Sequence, residues 1–137
     1  MQKLIFILAI LLAYNVRAQK NPTYKDVSIC KQEGMVNKGD IKMLGEQKYV
    51  SILKEFETKL NKTKNNYSDY YRFYVTDGGV KLKGISAYLI PKSIVPDEQK
   101  TKKEYRVIGD KRTLWIYYDL KTKKLTKPRS FMLTPDL

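Results

Sequence analysis

The chain is 137 residues long and carries 27 lysines and arginines against 14 acidic residues, a formal net charge of +13. It contains no histidine, which removes Ser-His-Asp and Cys-His triads, the commonest general base and the usual zinc ligand. Its single cysteine removes an intrachain disulfide and a thiolate metal site as well.

The N-terminus reads as an export signal. Met1-Gln2-Lys3 is a short positive region, Leu4 to Ala13 ("LIFILAILLA") is an unbroken apolar run, and Val16 and Ala18 hold the small-residue positions of a cleavage site. Cleavage is expected between Ala18 and Gln19, giving a secreted or periplasmic protein. Such a run is shorter than the roughly 20 residues a membrane span requires, and no later stretch is apolar enough to span. Loss of Lys3 and Arg17 with the signal leaves 25 basic and 14 acidic residues, or +11. That excess favours anionic partners, although lysine also serves solubility alone.

Residues 19–40 mix polar, glycine and proline residues without a clear period, and read as an N-terminal arm with one short strand at 24–30. Cys30 lies in "DVSICKQ", next to Val27 and Ile29, so burial is expected for it rather than pairing between chains. The single domain is expected to run over 41–137. In "EQKYVSILKEFETKLNK", Tyr49, Ile52, Leu53, Phe56 and Leu60 form one helical stripe. Asp40 is a candidate cap, which would add Ile41 and Leu44 to the stripe and leave Gly45 inside the helix at a cost of about 1 kcal/mol. Glu55 and Lys59 form an i,i+4 pair in the favourable order. Asn61, Asn65 and Asn66 end the element. Two N-glycosylation motifs, "NKT" at Asn61 and "NYS" at Asn66, fall at its exit and matter only in a eukaryotic secretory pathway.

From Tyr67 the period changes to two. Tyr71, Phe73 and Val75 share one face of a strand, and Tyr70, Arg72 and Tyr74 the other. "DGG" at 77–79 predicts a hairpin, with "VKLKGISAYLIP" as the return strand. The apolar phase slips at Gly84, which predicts either a β-bulge or a strand buried on both faces beyond it. Residues 91–103 read as an exposed loop. Strands follow in "EYRVI", "TLWIYYDL" and "LTKPRSFML", with turns at "GDKR" and "KTKK". Pro128 cannot donate to a ladder, so the last strand should be an edge or a bulged one.

An arm, a helix and about four to five strands predict an α+β fold: one amphipathic helix packed on a curved antiparallel sheet. In outline this resembles the cystatin-like and NTF2-like rolls. The resemblance is of architecture alone, without a Gln-x-Val-x-Gly inhibitory loop, and carries no family residues.

No catalytic residues are expected. "DGG" and "KGIS" lack the spacing of a phosphate-cradling loop, and Asp97-Glu98 beside Lys100, Lys102 and Lys103 reads as a solvated charge cluster. No cofactor or metal is expected either. The candidate binding surface is aromatic and basic. Leu114, Ile116, Tyr118 and Leu120 alternate onto a core face, leaving Trp115 and Tyr117 on the other. If Tyr70, Arg72 and Tyr74 stand beside them, the outer face is an aromatic platform with Lys121, Lys123, Lys124, Lys127 and Arg129 at its end. Intramolecular packing is an equal reading of such a face. The leading expectation is an exported binding module for an envelope protein or an anionic polysaccharide. An inhibitor or immunity-type protein directed at a toxin or hydrolase comes second, and an extracellular nucleic-acid binder third. The sequence leaves the oligomeric state open.

Overall fold

The computed structural model describes residues 24–95 and 111–130. The segment 1–18 expected to be a signal, the acidic pair at 97–98 and the strand expected at 104–108 lie outside the described residues. None of the described helices is long and apolar enough to cross a membrane.

Among the described residues, two helices pack on a seven-stranded, mostly antiparallel open sheet, an α+β architecture. The strands are β1 (Tyr24–Ile29), β2 (Gln32–Asn37), β3 (Tyr70–Asp77), β4 (Gly84–Pro91), β5 (Leu114–Asp119), β6 (Lys124–Leu125) and β7 (Arg129–Ser130). The helices are α1 (Lys38–Leu44) and α2 (Glu46–Asn61). Spatial order follows chain order from β1 to β6, and β7 also pairs with β5.

The segment expected to be an arm supplies two of these strands. Tyr24 to Ile29 pairs antiparallel with Gln32 to Asn37 across a two-residue turn. Cys30 and Lys31 both take positive φ, 51° and 67°, the backbone of a primed hairpin turn that usually draws glycine or asparagine. The missing turn signal hides this hairpin from a sequence reading. It also corrects the expectation for Cys30, which is a free, exposed cysteine at the turn.

The single expected helix is two. Asn37, not Asp40, caps α1, its side chain accepting from Gly39 N–H at 2.7 Å. Gly45 breaks the helix at φ 83°, ψ 138°. Its N–H closes α1 on Ile41 O, and its carbonyl opens α2 by accepting from Tyr49 N–H. Because β2 enters the helical pair directly, the chain returns across the sheet and β3 pairs with β2 in parallel, the one parallel pair among the described strands. A Cβ on Gly34 would lie 2.9 Å from Arg72 Cβ, so this glycine lets β2 approach β3 at that point.

The expected helical stripe holds. Tyr49, Leu53, Phe56 and Leu60 are buried against Tyr74, Ile85, Ala87, Leu89, Ile116 and Tyr118, with Ile52 packed at the margin. Phe56 stands edge-on between Tyr74 and Tyr118, at 6.0 and 6.3 Å between centroids. The expected Glu55–Lys59 pair acts through space, and each residue has a closer partner. Glu55 accepts from Tyr118 Oη at 2.6 Å and pairs with Lys123, while Lys59 donates to Lys123 O.

β4 begins at Gly84 and runs in unbroken register with β3, from Asp77↔Gly84 to Tyr70↔Pro91. Val80 and Leu82 therefore lie in the hairpin loop, and the phase slip marks a strand start rather than a bulge. Beyond it β4 is apolar on both faces: Ile85, Ala87 and Leu89 face α2, while Ile90 joins a second cluster with Met35, Tyr71, Phe73 and Val95. The last expected strand is two short ones. Tyr118 pairs with Leu125 but Trp115 with Arg129, which leaves one extra residue around Pro128. This edge is thus bulged, as proline requires. Thr126 spans the gap, its N–H donating to Tyr117 O and its Oγ1 accepting from Tyr117 N–H.

Candidate functional site

Cross-strand register sorts the candidate residues onto two faces. Directly opposed residues share a face. Arg72, Leu89 and Leu114 form one row, and Tyr74, Ala87 and Ile116 the next, both beneath α2. Phe73, Tyr88 and Trp115 form a row on the opposite, outer face. Tyr70, Arg72 and Tyr74 therefore do not stand beside Trp115 and Tyr117. Arg72 and Tyr74 are fully buried, and Tyr70 packs at the margin of the helix-side core.

Arg72 has a structural task there. Its Nε and one terminal nitrogen donate to the two oxygens of Glu57, at 3.0 and 3.3 Å. The remaining donors reach the carbonyls of Asn66, Tyr67 and Tyr70. All five guanidinium N–H groups are thereby used. Tyr74 Oη donates to the same Glu57 carboxylate. Burial, followed by the Glu57 charge, raises the Tyr74 hydroxyl pKa well above its ordinary value. The network fastens α2 and the loop at 66–70 onto β3. Glu57 was invisible as a buried residue in the sequence. The only available signal was a carboxylate one position beyond the apolar Phe56.

On the outer face the aromatic residues form a continuous band. Tyr24 meets Phe73 edge-on at 5.4 Å, Phe73 stacks with Tyr88 at 6.0 Å, and Tyr88 opposes Trp115 across β4 and β5. Trp115 and Tyr117 follow each other along β5, 6.2 Å between centroids and 26° between planes. The band is buried at Phe73, over Met35, Tyr71 and Ile90, and half-exposed at Tyr88, Trp115 and Tyr117. Packing and exposure thus share one face.

Tyr117 is held in place by two contacts. Its ring lies over Gly84 on β4, where any side chain would collide with it. Its hydroxyl donates to Asp77 Oδ2 at 3.0 Å, and burial and that acceptor raise its pKa. Arg129, opposite Trp115, places its guanidinium carbon 5.7 Å from the indole centroid, within cation–π range.

The predicted basic residues are spread around this band. Arg129 and Lys127 are exposed along the β5 edge, and Lys124 opposes Asp119 on the same outer face as Trp115 and Tyr117. Lys121 lies exposed in the β5–β6 turn, where Asp119 Oδ1 accepts from the Lys121 and Thr122 N–H groups. Lys123 belongs elsewhere: it takes positive φ and turns to Glu55 on the helix side. Among the described residues no group of three or more His, Cys, Asp or Glu side chains is placed to hold a metal ion.

No family model, curated protein or solved structure matches this chain.

Proposed function

We propose that this chain is an exported binding module without catalytic activity, which engages an anionic glycan through the outer face of its sheet. One observation carries the reading: Trp115 and Tyr117 lie nearly parallel at the surface, with Tyr117 fixed by Gly84 and Asp77 and the Arg129 guanidinium set over Trp115. Aromatic faces stack on flat, π-bearing or C–H-rich ligand rings, and neighbouring cations take carboxylate or sulfate groups. Side chains already held in position lose little entropy on binding. The signal-like N-terminus and the +11 charge expected after cleavage support an anionic polymer outside the cytoplasm as the partner.

An envelope or secreted protein is the second reading, favoured by the same trio, since Trp, Tyr and Arg dominate interface hot spots. An inhibitor or immunity-type role is one form of it.

Trp115 is the sole tryptophan and so reports on its own site. Titration with acidic polysaccharides should shift or quench its emission in a saturable manner, while neutral dextran should not. No response to any acidic polysaccharide, or the same response to dextran, would overturn the glycan reading.

A further inference from the structure

We infer that one end of the sheet, built from the β3–β4 and β5–β6 loops, docks on an anionic lipid surface, with Val80 as the residue that enters it. This goes beyond the outer-face reading: it shares Lys121 and Lys124 with the basic surround of that face but turns on Val80, Lys81 and Lys83, which that reading does not use. The two loops are joined side by side: Lys83 N–H donates to Asp77 O at 2.8 Å, and Lys83 O accepts from Leu120 N–H at 3.0 Å. Their union gathers Lys81, Lys83, Lys121 and Lys124, all exposed and none in an ion pair among the described residues. The nearby carboxylates are at least partly exposed, and each is engaged by a hydrogen-bond donor of the fold. Asp77 accepts from Tyr117 Oη, Asp119 from two backbone N–H groups, and Glu55 from Tyr118 Oη and Lys123.

Charge alone would suit any polyanion. Val80 sets the lipid surface apart. It is 87% exposed, the most exposed large apolar side chain among the described residues, at the tip of a loop where Leu82 turns inward to the core. Turn tips favour Gly, Asn, Asp and Ser, and Gly78 and Gly79 already supply the positive φ this turn requires. A β-branched apolar residue contributes nothing to that geometry. An apolar tip ringed by lysines matches a bilayer interface, with hydrocarbon beneath anionic headgroups. Each lysine near such a surface contributes about 1 kcal/mol, or about fivefold in partitioning.

The test is co-sedimentation of the chain beginning at Gln19, which keeps every described residue, with phosphatidylcholine vesicles and with vesicles of about one part phosphatidylglycerol to two of phosphatidylcholine. Binding should require phosphatidylglycerol and weaken with salt. Lys81→Glu/Lys83→Glu should reduce it at least about 20-fold. Val80→Asp should also reduce it, and Val80→Trp should increase it. All three variants change exposed side chains, and circular dichroism should show the unaltered fold. Equal or absent binding to both vesicle types would overturn the inference. So would binding that Val80→Asp leaves intact and that soluble heparin matches, because the loops would then be a general polyanion patch. Trp115→Ala should leave vesicle binding unchanged, which separates this surface from the outer-face site.

Discussion

The Tyr117 ring occupies the space that a side chain at Gly84 would take. A Cβ on Gly84 would come well within 3.0 Å of Tyr117 Cζ and Oη and of Tyr118 O. A glycine on one strand and an aromatic ring on the next thus fix the surface aromatic pair.

Gly84→Ala should therefore cost about 1–3 kcal/mol, because the obstructing Tyr118 O is backbone and cannot rotate away. Tyr117→Phe should cost less, about 0.5–1.5 kcal/mol, the ordinary worth of the lost hydrogen bond to Asp77. Urea unfolding of both variants checks the order.

The Arg72–Glu57 pair should behave as a buried ion pair. Arg72→Met should destabilise the fold by about 3–5 kcal/mol, since Glu57 keeps a buried carboxylate and three carbonyls lose their donor. Arg72→Met/Glu57→Leu should be less damaging than the sum of the single variants. Additive losses in a double-mutant cycle would show that the two residues act independently.

Two buried tyrosines should respond in opposite ways to loss of their hydroxyl. Tyr49 Oη is buried with no hydrogen-bond partner among the described residues, so Tyr49→Phe should be neutral or stabilising. Tyr74 Oη donates to Glu57, so Tyr74→Phe should destabilise by about 1.5–3 kcal/mol, the range for a bond to a charged group. Thermal melts of the pair distinguish the two environments.

Stability should fall in alkali. Burial raises the pKa values of Tyr49, Tyr74 and Tyr118 in the folded chain, with Glu57 and Glu55 adding to the last two. Unfolded tyrosine ionises near 10. The folded state therefore keeps its protons where the unfolded state releases them, and this stabilisation is complete below about pH 10 and lost above it. Absorbance of tyrosinate should rise in two phases, with the second coinciding with loss of far-ultraviolet circular dichroism. A single early phase in a still folded chain would contradict this.

The helical stripe and the alternation of β3 and β5 were legible because each leaves a period of its own in the sequence. Tyr49, Leu53, Phe56 and Leu60 mark the helix, and Ile116 and Tyr118 mark the core face of β5. The Trp115–Tyr117 half of the site followed directly from that alternation. Tyr70, Arg72 and Tyr74 were misplaced because both faces of β3 are aromatic. Alternation separates the two faces but cannot identify the one under the helix. Arg72 looks like a surface cation until its partner is known, and that partner sits 15 residues away on α2. The β1–β2 hairpin was hidden for a local reason: Cys30 and Lys31 adopt a conformation for which neither has a preference.

The most direct test of the outer-face account is calorimetric titration of the acidic polysaccharide that most strongly perturbs Trp115 fluorescence into the wild-type chain and into Trp115→Ala/Tyr117→Ala. Aromatic stacking is worth about 1–3 kcal/mol per ring, so the double variant should keep its fold and lose at least about tenfold in affinity. Undiminished affinity in the folded double variant would contradict the account.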